Sequence, residues 1–238
     1  MILKRDFSIT WYGHSTFKIV SPKGVHILID PWVMGNPACP DHLKAVDKID
    51  LMLITHGHFD HMADAVALAK RHNPKVVAIF EIAGFLGTRG VGSTLPMNMG
   101  GTQRVDGIAV TMVQAFHSSG IQDEEGRLLY GGDPAGYVIT LENGFTLYHA
   151  GDTQVFGDMR LIAELYEPQL CFLPIGDLFT MSPKEAAYAC RLLKPKWVIP
   201  MHFGTFPPLT GTPAKLRQLT KTIRGLKVID MKPGDTIK

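Results

Sequence analysis

Residues 55–61 read Thr-His-Gly-His-Phe-Asp-His, which places His56, His58, Asp60 and His61 within six positions. Imidazole and carboxylate are the side chains that hold zinc, manganese, iron or nickel. The segment follows the apolar run Ile-Asp-Leu-Met-Leu-Ile at 49–54. A strand therefore delivers it into a turn, where alternate residues can point at one centre. A polar turn that merely happens to be rich in histidine is the competing reading, and it gives no reason for such density.

A divalent ion needs more ligands than one loop supplies, and three further segments use the same device. The run 108–116 ends on His117, the run 144–150 ends on Gly151 and Asp152, and the run 196–201 ends on His202. Each is an apolar, strand-like stretch that stops at a polar ligand. Functional groups of α/β sheets gather where strands end and loops begin. Seven ligands in all suit two metal ions.

That set, His56, His58, Asp60, His61, His117, Asp152 and His202, resembles the ligand set of the metallo-β-lactamase fold superfamily. Further motifs follow in order: Tyr-Gly-His-Ser-Thr at 12–16, Leu-Ile-Asp-Pro at 28–31, Gln-Ala-Phe-His-Ser-Ser at 114–119, His-Ala-Gly-Asp-Thr at 149–153, Leu-Pro-Ile-Gly-Asp at 173–177 and Pro-Met-His-Phe-Gly-Thr-Phe at 200–206. From about residue 8 to residue 236 the chain resembles a family of small bacterial and archaeal metal-dependent hydrolases. Its better-known relatives are the ascorbate-phosphate lactonases and the phospholipase D that cleaves N-acyl phosphatidylethanolamines.

The resemblance implies a division of labour. His56, His58 and His117 hold a first metal, Asp60, His61 and His202 hold a second, and Asp152 bridges them. The ions then sit roughly 3.5–4 Å apart with a shared hydroxide as nucleophile. Asp60 or Asp152 accepts and returns the proton. Zinc is the first choice of metal, with manganese, iron and nickel as alternatives set by availability.

Three more residues are candidates around that centre. Asp30, at the end of the run 25–29, is placed to accept the second ring N–H of a metal-binding histidine, or it simply forms the Asp-Pro turn. His14, between Gly13 and Ser15, reaches the pocket or is satisfied by backbone in its turn. Asp177 lines the pocket or caps the turn before the next helix, and the pocket is the favoured reading. His149 reads as packed inside its strand, and His26, His42 and His72 read as ordinary surface or packing residues.

The elements that must position these groups are legible in outline. Strand-type runs near 8–12, 16–20, 25–29 and 49–54 precede a helical pattern over 60–71, which Asn73-Pro74 ends. A buried-type strand follows at 76–80. Asp106-Gly107 and Asn143-Gly144 mark hairpins. Thereafter helices near 158–166, 182–193 and 213–223 alternate with strands at 169–174, 196–201 and 226–230. This order predicts a single α+β domain over 1–238, a four-layer αββα sandwich with two mixed sheets face to face and helices outside. The glycine-rich stretches 84–104 and 118–136 are expected to wall the pocket.

Composition narrows the function classes. A 238-residue chain that is 45% hydrophobic can bury a large core. Its 24 basic and 22 acidic residues leave a net charge of +2, too little for a general pull toward nucleic acid or membrane. No run of 18 apolar residues occurs and the first six residues carry no secretory pattern, so a cytoplasmic enzyme is expected. Cys39, Cys171 and Cys190 lack any CxxC spacing and read as reduced thiols, the last two in the core.

Among rival activities, penicillin cleavage is disfavoured because the enzymes with the nearest ligand set carry Cys where Asp152 stands. An oxygen-reducing diiron centre usually has a carboxylate at the place of His58. A non-catalytic metal-binding module should have lost some of the seven ligands. The expected substrate is a small phosphodiester, with a sugar-acid lactone as the alternative; nucleic acid enters only as short or cyclic nucleotides, and a homo-oligomer is open.

Overall fold

Strands whose residues are apolar on both faces dominate the chain, and such strands must be covered on both sides. The computed structural model describes residues 6–238. The chain opens with β1 (Ser8–Gly13), β2 (Thr16–Val20) and β3 (His26–Ile29), then passes through α1 (Asp41–Lys44) to β4 (Leu51–Leu53). Helices α2 (Phe59–Met62) and α3 (Ala65–His72) lead to β5 (Lys75–Ile79), α4 (Phe80–Thr88) and β6 (Thr94–Met97). Next come β7 (Thr102–Val105), β8 (Ile108–Gln114), the small hairpin β9 (Gly120–Gln122) and β10 (Leu128–Tyr130), then β11 (Ala135–Thr140) and β12 (Thr146–His149). The last part alternates α5 (Met159–Tyr166), β13 (Leu170–Pro174), α6 (Pro183–Leu193), β14 (Trp197–Met201), α7 (Pro213–Thr220), β15 (Lys227–Val228) and β16 (Thr236–Ile237).

Among the described residues two seven-stranded sheets form, ordered β16-β1-β2-β3-β4-β5-β6 and β15-β14-β13-β12-β11-β8-β7. Both are mixed. The first is antiparallel through β1, β2 and β3 and parallel from β3 to β6. The second is antiparallel through β7, β8, β11 and β12 and parallel from β12 to β15. Their inner faces share one core in which Phe17 of β2 meets Phe172 of β13 with ring centroids 4.6 Å apart. Each such fully buried ring contributes about 1.5–3 kcal/mol. Helices α5, α6 and α7 cover the outer face of the second sheet, where Met159, Ala186, Cys190 and Leu216 pack with Cys171 and Val198. This is the expected sandwich of two mixed sheets with helices outside.

Local chemistry explains the main boundaries. Ser182 caps α6 with a complete capping box to Glu185, and Pro183 takes the first helical position. The Asp106-Gly107 turn places both central residues in the left-handed region, φ 51° and 86°, which the β7–β8 hairpin requires. Cys39, Cys171 and Cys190 are buried free thiols. Among the described residues no helix is long and apolar enough to cross a membrane.

Two expectations are corrected, and one edge strand lies outside them. The helical pattern over 60–71 is two helices, because Asp64 leaves the α-helical path and its Oδ2 accepts from the backbone N–H groups of Val33 (2.6 Å) and Met34 (2.8 Å). The glycine-rich stretch 84–104 is not a loop. Gly84 and Gly87 sit within α4 with open space where a side chain would be, and Thr94–Met97 pairs with β5. Finally, β16 closes the edge of the first sheet through Ile9 opposite Ile237, a pairing too short to leave a periodic signal.

Candidate metal centre

Both sheets present the ends of their strands at the same edge, and the polar residues that follow those ends converge there. β4 leads into Thr55 and His56, and α2 begins at Phe59 and carries Asp60 and His61. β8, β12 and β14 deliver His117, Asp152 and His202. The backbone is shaped for close approach. A Cβ on Gly57 would stand 2.7 Å from Ile121 Cγ1, so only glycine fits between His56 and His58. His14, Asp30 and His202 hold left-handed backbone, φ 55°, 50° and 54°. Such strain in non-glycine residues costs on the order of 1–3 kcal/mol each and persists where surrounding structure enforces it.

One carboxylate oxygen is the focus. Asp152 Oδ2 lies 2.9 Å from His202 Nε2, 3.3 Å from His61 Nε2, 3.6 Å from His117 Nε2 and 3.9 Å from His56 Nε2. His56 Nε2 stands 3.1 Å from His58 Nδ1. Asp60 Oδ2 is 2.9 Å from His14 Nε2, 3.6 Å from His202 Nε2 and 3.8 Å from His61 Nε2. Three groups have ligand atoms within 4.8 Å of one another: His56, His58 and His117; His56, His61 and Asp152; and His14, Asp60, His61 and His202.

This set fits divalent cations. His61 Nε2 and Asp152 Oδ1 are buried without a hydrogen-bond partner among the described residues. Ligands about 2.1 Å from a tetrahedral ion lie about 3.4 Å apart, close to the nitrogen spacings here. Burial pushes His56 well below the ordinary imidazole range, helped by His61, and burial is also the main cause that lowers His58 and His117. Those three rings are neutral, with lone pairs to offer. On the other side the balance reverses. Burial would raise Asp152 and Asp60, but His202 and His61 hold Asp152 far below the carboxylate range, and His61 and His14 do so for Asp60. Burial would lower His61 and His202, yet Asp152 outweighs it, leaving His61 well above its usual value and His202 at about 9. Two buried carboxylates held ionised side by side favour a cation between them.

The candidates around the centre separate clearly. Asp30 accepts from His61 Nδ1 (2.8 Å) and Thr55 Oγ1 (2.8 Å) at Oδ2, and from Thr55 N (2.8 Å) at Oδ1. With its proton committed to Asp30, Thr55 Oγ1 accepts from His56 Nδ1 at 3.0 Å. Both histidines are thereby held with Nε2 toward the cluster. His14 is fully buried, and burial, with His202 adding, lowers it to about 4. It donates from Nε2 to Asp60 and accepts at Nδ1 from Thr205 Oγ1 (2.9 Å). His149 is buried in its strand, donating to Ser15 O (3.2 Å) and accepting from Gly151 N (3.2 Å). His26, His42 and His72 stand outside the clusters. Asp177 is a correction: it is exposed, has φ 69°, and its Oδ1 accepts from Leu178 N (2.9 Å). It turns the chain so that Phe179, not Asp177, lines the cavity above the cluster.

Two tying residues carry no sequence signal. Thr55 is one, and Thr153 is the other: its Oγ1 accepts from Phe116 N (3.0 Å) and so joins the loops of His117 and Asp152. Above the cluster opens a cavity of about 620 Å³ whose floor includes His58, Asp60, His117, Asp152 and His202. Of the two glycine-rich stretches only 118–136 reaches it, through Ser118, Gly120, Gln122 and Leu128.

Comparison with known proteins gives the family. A family model described as a beta-lactamase superfamily domain matches residues 8–202. A UPF0173 metal-dependent hydrolase of Koribacter versatilis is 59% identical over 232 residues, covering 98% of each chain. The chain belongs to the UPF0173 metal-dependent hydrolases, within the β-lactamase superfamily. A UPF0173 relative from the archaeon Methanopyrus kandleri is 47% identical over 229 residues, 96% of this chain and 98% of its own. Among solved structures, Igni18, a metallo hydrolase from Ignicoccus hospitalis, superposes with a TM-score of 0.85 at 37% identity over 97% of each chain. The UPF0173 fold thus frames a cluster of histidines and aspartates able to bind metal.

Proposed function

We propose that this UPF0173 hydrolase works as one domain over 1–238 on a small-molecule substrate, using two divalent cations. His56, His58 and His117 hold one, Asp60, His61 and His202 hold the other, and Asp152 stands between them. The observation that carries this reading is the convergence of four imidazole Nε2 atoms within 3.9 Å of Asp152 Oδ2. When bound, such a pair, zinc first, with manganese, iron or nickel as alternatives, supplies an activated water and polarises the substrate oxygen.

The chain's own residues do the rest. Asp30 and Thr55 fix the ring orientation of His61 and His56, and His14 holds Asp60 in place. Asp60 is the group assigned to take up and return the water's proton, since its side chain is 14% exposed against 2% for Asp152. No Lys or Arg among the described residues lines the cavity. Such side chains commonly add to a metal in binding phosphate, so a lining without them supports a lactone or carboxylic ester over a phosphodiester, whose charge would rest on the two cations alone. The test is side-by-side turnover of γ-nonalactone and bis(4-nitrophenyl) phosphate by metal-reconstituted protein, with Asp152→Ala as blank. Lactone opening with little phosphodiester cleavage supports the reading; the reverse preference restores the phosphodiester.

A further inference from the structure

The cavity over the cluster is more apolar than hydrolysis requires. Phe59 is 58% exposed, Phe179 61% and Leu128 78%, and all three line it together with Phe206 and Leu209. They come from four separate places: the start of α2, the turn after β13, the β9–β10 hairpin and the loop after β14. Large apolar side chains from distant segments gathered at a cavity mouth mark a ligand surface. The wall is also fixed from behind. Buried Trp32 stacks on Phe206 at 5.8 Å and 27°, and meets Phe59 edge-on at 5.7 Å and 84°. The polar groups offered beside the cluster, Ser118 and Gln122, are neutral.

We propose that the preferred substrate is an uncharged carboxylic ester or lactone bearing a sizeable apolar group, an acyl chain or an aryl ring, seated against Phe59, Phe206 and Leu128. The proposal rests on the hydrolase reading above. At about 620 Å³ the cavity falls in the range of sites that enclose molecules larger than an acetyl ester. In the reaction the oxygen of water joins the acyl carbon and the acyl C–O bond breaks. One proton of the water goes to the leaving oxygen, giving an alcohol and a carboxylic acid; in a lactone both stay in one molecule.

The test uses the metal-loaded full chain with 4-nitrophenyl acetate, 4-nitrophenyl octanoate and bis(4-nitrophenyl) phosphate. The expected result is a kcat/KM for the octanoate ester at least tenfold above that for the acetate and far above that for the phosphodiester. Phe59→Ala and Leu128→Ala then shrink the octanoate-to-acetate ratio severalfold, mainly through KM. Octanoate titrated into the metal-loaded chain should bind, by calorimetry, with a Kd at least tenfold below that of acetate, a readout independent of turnover. Esters cleaved with no preference for chain length, or a preferred phosphodiester, overturn the inference while the hydrolase reading stands. Absence of turnover on all three by protein that binds its metal overturns the ester, lactone and phosphodiester readings of the site and the inference with them.

Discussion

His61 Nδ1 lies 2.8 Å from Oδ2 of Asp30, and both side chains are wholly buried. That contact fixes which ring nitrogen of His61 faces the cluster. Through Thr55 the same carboxylate also reaches His56. Asp30→Asn keeps the volume but removes the charge that both rings lean on. Metal affinity should fall on the order of 10- to 100-fold, the usual effect of losing such a partner. Competition with a fluorescent chelator measures it, and an unchanged affinity would remove Asp30 from the account.

Substitution within the cluster should be more severe. His56→Ala or Asp152→Ala is expected to abolish hydrolysis while circular dichroism retains the native spectrum, since neither side chain belongs to the apolar core. More than a tenth of the wild-type rate surviving in either variant contradicts the shared role of Asp152 between two cations.

The glycine of the His-Gly-His turn is a packing requirement. Gly57→Ala sets a Cβ 2.7 Å from Ile121 Cγ1, against the hairpin that walls the cavity. The turn must shift, so metal affinity should drop at least tenfold. Trimming the neighbour, Ile121→Ala, should recover part of that loss in the double variant, although each change alone is harmful. Purely additive losses would show that the clash is not the cause.

The thiols supply a pH prediction away from the cluster. Burial raises Cys39 to about 11 and Cys190 to about 12, and puts Cys171 well above its ordinary value. Each is a neutral thiol in the folded chain. Because the folded value exceeds the unfolded one, their contribution to stability is complete below about pH 9 and is lost as pH rises through the folded values. Ellman's reagent at pH 8 should therefore label the native chain slowly and all three cysteines at once in denaturant. Rapid native labelling would contradict their burial.

How far the chain could be read in advance follows from what each feature depends on. His56, His58, Asp60, His61, His117, Asp152 and His202 were visible as candidates because each is a ligand-type residue at the end of an apolar run, and the fold brings all seven together. The layer order was visible in the alternation of strand and helix after Asp152. Thr55 and Thr153 were not, because a hydroxyl's role depends on which loops lie beside it in space. Asp177 misled for a related reason: an aspartate before a helix has the same sequence context whether it faces a pocket or, as here, its own turn. The break at Asp64 was hidden because its cause lies in the distant backbone of Val33 and Met34.

Two divalent cations, held on either side of Asp152, are proposed to act together on the substrate. Zinc titrated into metal-free protein, with bound metal and ester hydrolysis followed on the same samples, tests this directly. Saturation is expected at two equivalents per chain, with hydrolysis that rises steeply only as the second is taken up. Saturation at one equivalent, or full activity reached with one, would contradict it.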